Sequence, residues 1–517
     1  MSKYALRQAS PSKLTIAVGL ALGAGASHAT TFNITSTADS GPGSLRQAII
    51  DANADGASPH TLDFSSISGQ TITLSSDLEP IGISMTLEGS DVTLSGNNAY
   101  SCLAVPYVEY ADDVDLVVED MTITECTGFG DKDTRGGGIL GDQFGSILID
   151  NVVLSGNTAG SGGGMRVADM DLTILNSVIE NNSATDGIGG GVNHTGAAFV
   201  MDNSQITGNT ATGNGGGVYT SKYGADITNS TISQNSAYNA GGIFSYQKYG
   251  EPSTTMNNVT ISENTAAYDA GGALIYNGDT AYDMNTTLSQ VTVAGNSAQN
   301  LAGGLLFVQY YGPSQNVDLD NSIIAGNTSP VGGGNFDGAQ TGGPRGAARI
   351  GNRTEAQLRA DFKPKFHSLA LPAPGGFAEG GSIAVVVDAA YSILGSLATT
   401  PISFNGDAAT NAAVGGDPGL GPLTDNGGDT LTHFPSGLSV DFIPSGVNGC
   451  GTTFSIDQRG EPRPVGDGCE AGSVEGIPLP ESVPVPTMTR WGTGILALGL
   501  ALMGWLGFRR RSSAMEK

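Results

Sequence analysis

The stretch Asn203-Ser-Gln-Ile-Thr-Gly-Asn-Thr-Ala211 decides the architecture, because the chain writes it again and again. Before it stands Asn176-Ser-Val-Ile-Glu-Asn-Asn-Ser-Ala184. After it come Asn229-Ser-Thr-Ile-Ser-Gln-Asn-Ser-Ala237 and Asn258-Val-Thr-Ile-Ser-Glu-Asn-Thr-Ala266. Gln290-Val-Thr-Val-Ala-Gly-Asn-Ser-Ala298 and Asn321-Ser-Ile-Ile-Ala-Gly-Asn-Thr-Ser329 continue the series. The second asparagines are Asn157, Asn182, Asn209, Asn235, Asn264, Asn296 and Asn327, at spacings of 25, 27, 26, 29, 32 and 31 residues. A glycine pair or triplet follows each one, at 162–164, 189–191, 215–217, 241–242, 271–272, 303–304 and 332–334. An earlier triplet at 136–138 belongs to a degenerate first copy around Met121-Thr-Ile-Thr-Glu125.

A fixed internal period of this length marks a solenoid. Runs such as Val259-Thr-Ile-Ser262 alternate apolar and polar residues, the periodicity of a strand with one face in and one out. No copy has the 3.6-residue period of a helix. Such a unit cannot bury its own apolar face, so the chain must coil and stack each strand on its copy in the next turn. The expectation is an all-β, right-handed parallel β-helix over residues 71–338. Roughly ten turns at about 4.8 Å each give a rod roughly 50 Å long. The repeated asparagines would then stack their amides as a ladder along the axis. The alternative for them is a run of glycosylation sites, since many read Asn-X-Ser/Thr. The glycine pairs would supply positive φ and close backbone approach at a corner.

Composition sets the outer bounds. Of 517 residues 78 are glycine, but without a three-residue period, so collagen is excluded. A hydrophobic share of 39% is too high for a wholly disordered chain. Acids outnumber bases 49 to 22, and the net charge of −27 argues against nucleic acid as a partner. It fits a solvated extracellular surface.

The two ends carry an address. Lys3, Arg7 and Lys13 precede an apolar run from Leu14 to Ala26, and Ser27-His28-Ala29 offers small residues at a cleavage site. Residues 1–29 therefore read as a secretory signal peptide, the alternative being an uncleaved membrane helix. At the other end, residues 477–489 form a proline-rich spacer. Trp491 to Phe508 is an uncharged stretch of 18 residues, long enough to span a bilayer, and Arg509, Arg510 and Arg511 follow. With Pro486, Thr487, Trp491 and Gly492 ahead of it, the segment 490–517 resembles an IPTL-CTERM sorting signal. Val485 and Met488 stand where that family has Ile and Leu. The resemblance implies an exosortase-type membrane transpeptidase as partner. It also implies transient anchoring in the inner membrane and delivery to the cell surface, outer membrane or exterior.

Caps are expected at both solenoid ends. In residues 30–70, Leu45, Ala48, Ile49 and Ala52 share one helical face and Ser44 can cap it. The segment Gly43-Ser-Leu-Arg-Gln-Ala48 resembles the CSLREA motif that opens many bacterial surface β-helix proteins, with Gly43 in place of its Cys. Residues 339–400 hold a basic insertion, Arg345, Arg349, Arg353, Arg359, Lys363 and Lys365 among Glu355 and Asp361. It has a short helix over Thr354 to Asp361 and the last strands around Ile383 to Val387. Residues 401–476 read as a C-terminal cap. Within them, Asp417 to His433, Asp457-Gln-Arg-Gly-Glu-Pro-Arg-Pro464 and Cys469-Glu-Ala-Gly472 resemble the C-terminal segment of choice-of-anchor Q proteins. That family joins a right-handed β-helix to varied surface anchors and carries no established catalytic activity.

Four cysteines in an exported chain suggest two disulfides. Cys102 and Cys126 are about one turn apart, and Cys450 and Cys469 share the C-terminal segment, so these are the expected pairs. A stacked free pair at Cys102 and Cys126 is the alternative.

The functional expectation is a structural or adhesive surface rod contacting glycan or matrix. Tyr223, Tyr246, Tyr276 and Tyr310 recur after the glycine corner and would line one side of the rod as sugar-stacking candidates, or else form a partly buried aromatic stack. The alternative function is a polysaccharide lyase or glycoside hydrolase acting on an acidic polysaccharide. Its candidates are Asp112, Asp113 and Asp115, with Glu119 and Asp120 close by. Against it, Arg166, Lys222 and Lys248 are the only bases between Met165 and Asn335, few for holding a polyuronate. No cofactor is expected, although Asp131, Asp133 and Asp142 could share a calcium ion.

Overall fold

The computed structural model describes residues 30–55, 58–107, 113–130, 135–142, 144–247, 253–277, 284–309, 315–330, 334–340, 385–395, 402–405, 411–413 and 418–476. The segments read as signal peptide, basic insertion, spacer and sorting tail, and the helix expected over Thr354 to Asp361, lie outside these residues. The chain forms a parallel β-solenoid of right-handed type with about 9 turns. Among the described residues three parallel sheets run along it, of 22, 9 and 6 strands. The register follows the repeat: Ile179, Ile206, Ile232, Ile261, Val293 and Ile324 stand one above another. All six are buried in one axial core.

Each corner rests on one left-handed residue per turn. The first residue of each copy, asparagine in all but one and given no role by the sequence reading, makes the bend in the long sheet. Asn176, Asn203, Asn229, Asn258, Gln290 and Asn321 have φ between 47° and 56°. Asparagine is among the few side chains that tolerate this region. The residue before each ladder asparagine makes the second corner, as at Asn181, Gly208 and Gln234. The third corner lies just ahead of the paired glycines. Gly162, Gly189 and Gly215 hold positive φ there, but Ala240, Ala270 and Ala302 do so in later turns. The glycine runs thus supply the positive φ only where they are triplets, through the first member, while the paired glycines that recur in every turn serve the close backbone approach. They are needed for space.

A Cβ on Gly216 would lie 2.4 Å from the Gly241 carbonyl oxygen and 2.6 Å from that of Ser236. Gly216→Ala is expected to lower the unfolding free energy by about 3 kcal/mol, since backbone cannot step aside as a side chain can. Gly326→Ala, left-handed but facing open space, should lose only about 1 kcal/mol. Urea unfolding of the two variants side by side checks the ranking.

The growth of the repeat is absorbed at one place, the turn from the nine-strand sheet back to the long sheet. It widens from Ala168–Asp171 and Thr195–Phe199 to Gln247–Ser253 and Asn277–Met284. Insertions gathered on one face leave the stacked core undisturbed.

The asparagine ladder is present and every valence of its inner members is used. Asn209 Oδ1 accepts from the Asn182 backbone N–H at 3.0 Å and from Asn182 Nδ2 at 2.9 Å. Asn209 Nδ2 donates to Asn235 Oδ1 at 3.0 Å and to the Ile179 carbonyl at 2.8 Å. The ladder extends one residue beyond the expected set, since Asn335 Oδ1 receives Asn327 Nδ2 at 3.1 Å. At its head Cys126 takes the ladder position, its N–H donating to Asn157 Oδ1 at 2.9 Å. Cys126 is bonded to Cys102 and Cys450 to Cys469, as the spacing suggested.

At the N-terminal end the helix Leu45–Asp55 buries Leu45, Ala48, Ile49 and Ala52, and Ser44 Oγ accepts from the Gln47 N–H at 3.2 Å. The long sheet starts earlier than residue 71, at strand Thr31–Asn33.

Residues 418–476 differ from the expected end cap. They run along the flank of the rod and touch turns from Asn203 to Ile323. Asp429 accepts from Asn203 Nδ2 at 2.7 Å, Thr260 Oγ1 donates to Gln458 Oε1 at 2.7 Å, and the Gly472 N–H donates to the Asn321 carbonyl at 2.7 Å. Ala471 packs with Ile323 and Ile393. The physical reason lies in the covered strands. Thr231–Ser233, Thr260–Ser262 and Thr292–Ala294 carry small hydroxyl residues outward, and all are buried beneath the strap. His433 Nε2 accepts from Ser262 Oγ at 2.7 Å while its Nδ1–H donates to the Gly421 carbonyl at 2.7 Å.

Within the strap sits a buried charged cluster, Asp457, Glu470 and Glu475 against Arg459 and Arg463. Three carboxyls face two guanidinia, so retention of one proton balances the charge. Burial, then the neighbouring Glu475 carboxyl, raise Glu470 from its ordinary 4.5 to about 8. A raised native pKa means stability that is complete below pH 4.5 and is lost as pH rises through about 8. His194 and His433, which burial lowers, act in the opposite sense but below pH 6.5. Thermal midpoints are therefore expected to fall from pH 7 to pH 9, and Glu470→Gln to flatten that fall.

Candidate functional site

The outward face of the nine-strand sheet gathers the solenoid's described bases. Two residues past the last glycine of each corner, Leu140, Arg166, Asn193 and Tyr219 stand in register on strands Ile139–Gly141, Met165–Ala168, Val192–Thr195 and Val218–Lys222. Alternation along a strand points these residues away from the core. Asp142, two residues on from Leu140, joins the same face. Arg166 Nη1 lies 3.3 Å from Asp142 Oδ2, and Arg135 Nη1 approaches the same oxygen at 3.7 Å. Lys222 Nζ pairs with Asp169 Oδ1 at 2.6 Å. Burial, and then the nearby Arg135, lower the Arg166 pKa, while Asp142 opposes them. A guanidinium keeps its charge under such conditions.

The wall facing this row is formed by the corner residues Ser161, Ile188 and Asn214. Asn193 Nδ2 donates to Ser161 Oγ at 2.7 Å, and Ser161 Oγ donates to the Ile188 carbonyl at 3.1 Å. Asn214 Oδ1 accepts from Asn239 Nδ2 at 3.0 Å. Two buried polar atoms here, Asn193 Oδ1 and Asn214 Nδ2, have no hydrogen-bond partner, while Arg166 Nη1 answers to Asp142 alone. On the inner face of the same sheet His194 Nε2–H donates to the Met170 carbonyl at 3.1 Å, and the ring leans on Phe199. Burial pulls its pKa to about 4, so it is a neutral core residue at physiological pH.

Further along, this outward face turns apolar. Phe244, Leu274 and Leu306 continue the row, and Ala240, Ala270, Leu301 and Ala302 from the corners bury it. The expected tyrosine stripe is corrected here. Tyr246 is only 8% exposed and lies against Tyr276, with ring centroids 5.2 Å apart and the planes tilted by 42°. Tyr219 stacks on Phe244 at 5.3 Å. Tyr223 alone of the candidates is freely exposed, at 52%, and Tyr310 lies outside the described residues. Tyr238 and Tyr268, which the sequence reading passed over, stack at 5.4 Å on another side of the rod.

Of the acidic candidates, Asp115 lies on the long sheet, in strand Val114–Thr124. Asp112 lies outside the described residues, Asp113 is exposed, and Asp115 accepts from Ser146 Oγ at 2.6 Å. A denser feature escaped the sequence: Asp63, Glu88, Glu119 and Asp150 stand in register on four successive strands. Burial first, and then Asp150, Asp120 and Glu88, raise the Glu119 pKa. For the calcium candidates, Asp131 and Asp133 lie outside the described residues and Asp142 faces two arginines. Among the described residues no group of three His, Cys, Asp or Glu side chains converges as a metal site. No described helix is long and apolar enough to cross a membrane, and Trp491 to Phe508 lies outside those residues.

Sequence reasoning missed Arg135, Asn193 and Asn214. The signal was available, since aligning the copies on their glycine pairs puts Leu140, Arg166, Asn193 and Tyr219 in one column. No protein-family model, curated protein or solved structure matches the chain.

Proposed function

We propose that this chain is an exported, surface-displayed β-solenoid with a structural or adhesive role, contacting glycan or matrix along its sides. The observation that carries the reading is the closure of both cysteine pairs, one of them at the head of the asparagine ladder. Disulfides persist in an oxidising exterior, which agrees with the signal-like leader. A rod whose inner polar groups satisfy one another presents long, regular outer faces. Those faces suit contact with an extended polymer. The finer address remains part of the same proposal: a choice-of-anchor-type strap over residues 401–476, an IPTL-CTERM-like tail and an exosortase-type partner.

A second reading, a carboxylate-pair hydrolase acting on polysaccharide, draws on Glu119. A carboxyl whose pKa is raised by burial and by the in-register Asp150 and Glu88 suits the general acid of such a pair. Cells displaying the full chain, compared with cells lacking it, are to be tested for attachment to glycan-coated surfaces and for release of reducing ends. Attachment without turnover supports the adhesive rod. Turnover abolished by Glu119→Gln replaces it with the enzyme.

A further inference from the structure

We infer that the edge of the rod bearing Phe144 and Tyr223 is a binding surface for a linear neutral glycan, whose sugar rings pack on the two aromatic rings. The inference rests on the adhesive reading and deepens it by naming the surface and the chemistry of the ligand.

Among the described residues the exposed large aromatics are Tyr107, Phe144 and Tyr223, at 60%, 53% and 52%. All three lie in one connection, the turn from the nine-strand sheet to the long sheet. Tyr107 stands between Val105 and Val114, Phe144 between Gly141 and Gly145, and Tyr223 between Lys222 and Asp226. The strands that lead into Phe144 and Tyr223 are three rungs apart, about 14 Å. The two turns between them offer little bulk: Asp169 with the buried Met170, then Gly196 to Ala198. The edge is a shallow saddle, with a ring at each end and small residues between.

Tyr223 is held there at a backbone cost. Lys222 has a φ of 88°, whereas every other described non-glycine residue of positive φ lies between 43° and 62°. A side chain so far outside the left-handed well is strained, and such strain persists only where the surroundings enforce it. Asp169 enforces it here. Lys222 Nζ reaches across the Gly196 turn to Asp169 Oδ1 at 2.6 Å, and a Cβ on Gly196 would lie 2.8 Å from that oxygen. Both side chains of the pair reach solvent, so its contribution to stability is small. What the clamp fixes is the backbone beside Tyr223.

The chemistry of the saddle selects its guest. A pyranose has an apolar C–H face that packs on an aromatic ring, and a rim of hydroxyls that bond to charged groups. Asp169 and Lys222 place such groups between the two rings. A protein partner asks for a continuous patch of about 800 Å² on each side, and rings parted by Gly, Ala and a charged pair do not make one. A uronate would face Asp169 and Asp171 on a chain of net charge −27. The nearby bases Arg135, Arg166 and Lys222 are already paired with Asp142 and Asp169. Singly exposed aromatics are ordinary on protein surfaces. Confinement to one connection, beside the most strained non-glycine residue, sets these apart.

The full chain is to be titrated by calorimetry with a length series of neutral hexose oligosaccharides and a matched uronate series. The expected result is neutral binding that tightens until a chain spans about 14 Å and then levels off, with uronates bound about tenfold more weakly. Phe144→Ala and Tyr223→Ala should each weaken the long neutral chains about tenfold, with thermal midpoints unchanged because both rings are exposed. Lys222→Gly accepts the same φ without strain. It should weaken binding several-fold while its midpoint holds, whereas a purely structural clamp would lose midpoint and leave binding alone. Leu438→Ala, an exposed hydrophobic on the strap, should change neither. No binding by either series, or equal binding in Phe144→Ala and Tyr223→Ala, overturns the surface. Uronates bound more tightly than neutral chains overturn its chemistry. Capture of a matrix protein, lost in Tyr223→Ala and without glycan binding, replaces it with a protein interface. If displaying cells attach to glycan surfaces and the two alanine variants attach as well as the parent, the adhesive reading stands and this surface falls. If the parent binds neutral chains through both rings but displaying cells do not attach, the surface stands and the adhesive reading falls.

Discussion

Replacing Asn209 by alanine is expected to lower the unfolding free energy by about 4 kcal/mol, more than any conservative exchange in the apolar core. The substitution removes one side chain but strands three buried groups. The Asn182 backbone N–H and one Asn182 Nδ2–H lose their acceptor, and the Ile179 carbonyl loses its donor. Each stranded group costs about 1–3 kcal/mol. Position along the ladder grades the effect. Asn157→Ala strands only the Cys126 N–H and the Ile123 carbonyl, because Cys126 has no amide to stack, so its loss should be smaller. Asn209→Asp gives a sharper test. Its protonated form can donate to the Ile179 carbonyl as the amide does, whereas its ionised form sets a charge against that oxygen. Burial raises the pKa of such a carboxyl, so stability is present at low pH and lost as pH rises. Urea unfolding at pH 4 and pH 7 should show Asn209→Asp near the parent in acid and well below it at neutrality, while Asn209→Ala is equally impaired at both. Equal losses for both variants at both pH values would remove the ladder as the cause.

What the sequence disclosed was whatever the repeat enforces turn by turn. The second asparagines, the buried isoleucines and the paired glycines recur in phase because stacking asks the same thing of each rung. The helix Leu45–Asp55 was legible from its apolar face and its capping serine. Less visible were features made by residues that differ between rungs. Arg166 and Asn193 carry meaning only as neighbours in one column, and Asp63, Glu88, Glu119 and Asp150, 25, 31 and 31 residues apart, lie ahead of the asparagine ladder whose copies make the period visible. The tyrosines were recognised as recurrent, but recurrence does not separate an exposed stripe from a stack sealed by corner alanines. The strap was hidden for a different reason. Its contacts join residues some two hundred positions apart, as in Gln458 Nε2 to Thr231 Oγ1 at 2.8 Å, and no local pattern reports them. The hint was compositional: outward positions became threonine and serine where the strap lies. The segments that carried the family resemblance, around Asp429, Gln458 and Ala471, are the ones that make these contacts.

Arg463→Met is the second large effect, expected at about 3–5 kcal/mol. Arg463 and Glu475 pair at 3.2 Å with both side chains fully buried. The guanidinium also donates to the Glu470 carbonyl at 3.0 Å and the Gly472 carbonyl at 2.7 Å, tying the strap's last turn together. Methionine fills much of the volume but leaves Glu475 ionised in a dry site, with only the Val465 and Glu470 N–H groups to hold it. Arg459 cannot compensate, since it is committed to Asp457 at 2.6 Å. The loss is thus the penalty of an unpaired buried charge rather than the net worth of the pair, and two results separate these. Glu475→Gln placed on Arg463→Met should recover part of the stability, because it removes the orphaned charge. Acid should do the same. With the guanidinium gone, Glu470 and Glu475 face each other without a balancing cation, so protonation is favoured more strongly in the native state than in the parent. The stability of Arg463→Met should therefore fall more steeply with rising pH than that of the parent. The strap should loosen before the rod does, because the ladder lies beneath it and shares none of these charges. Hydrogen exchange at pH 8 should show residues 456–476 opening while the Asn209 and Asn235 amides stay protected. Simultaneous opening of both would mean that the strap holds the solenoid together, and that its contacts with Thr260 and Thr292 stabilise the rod as a whole.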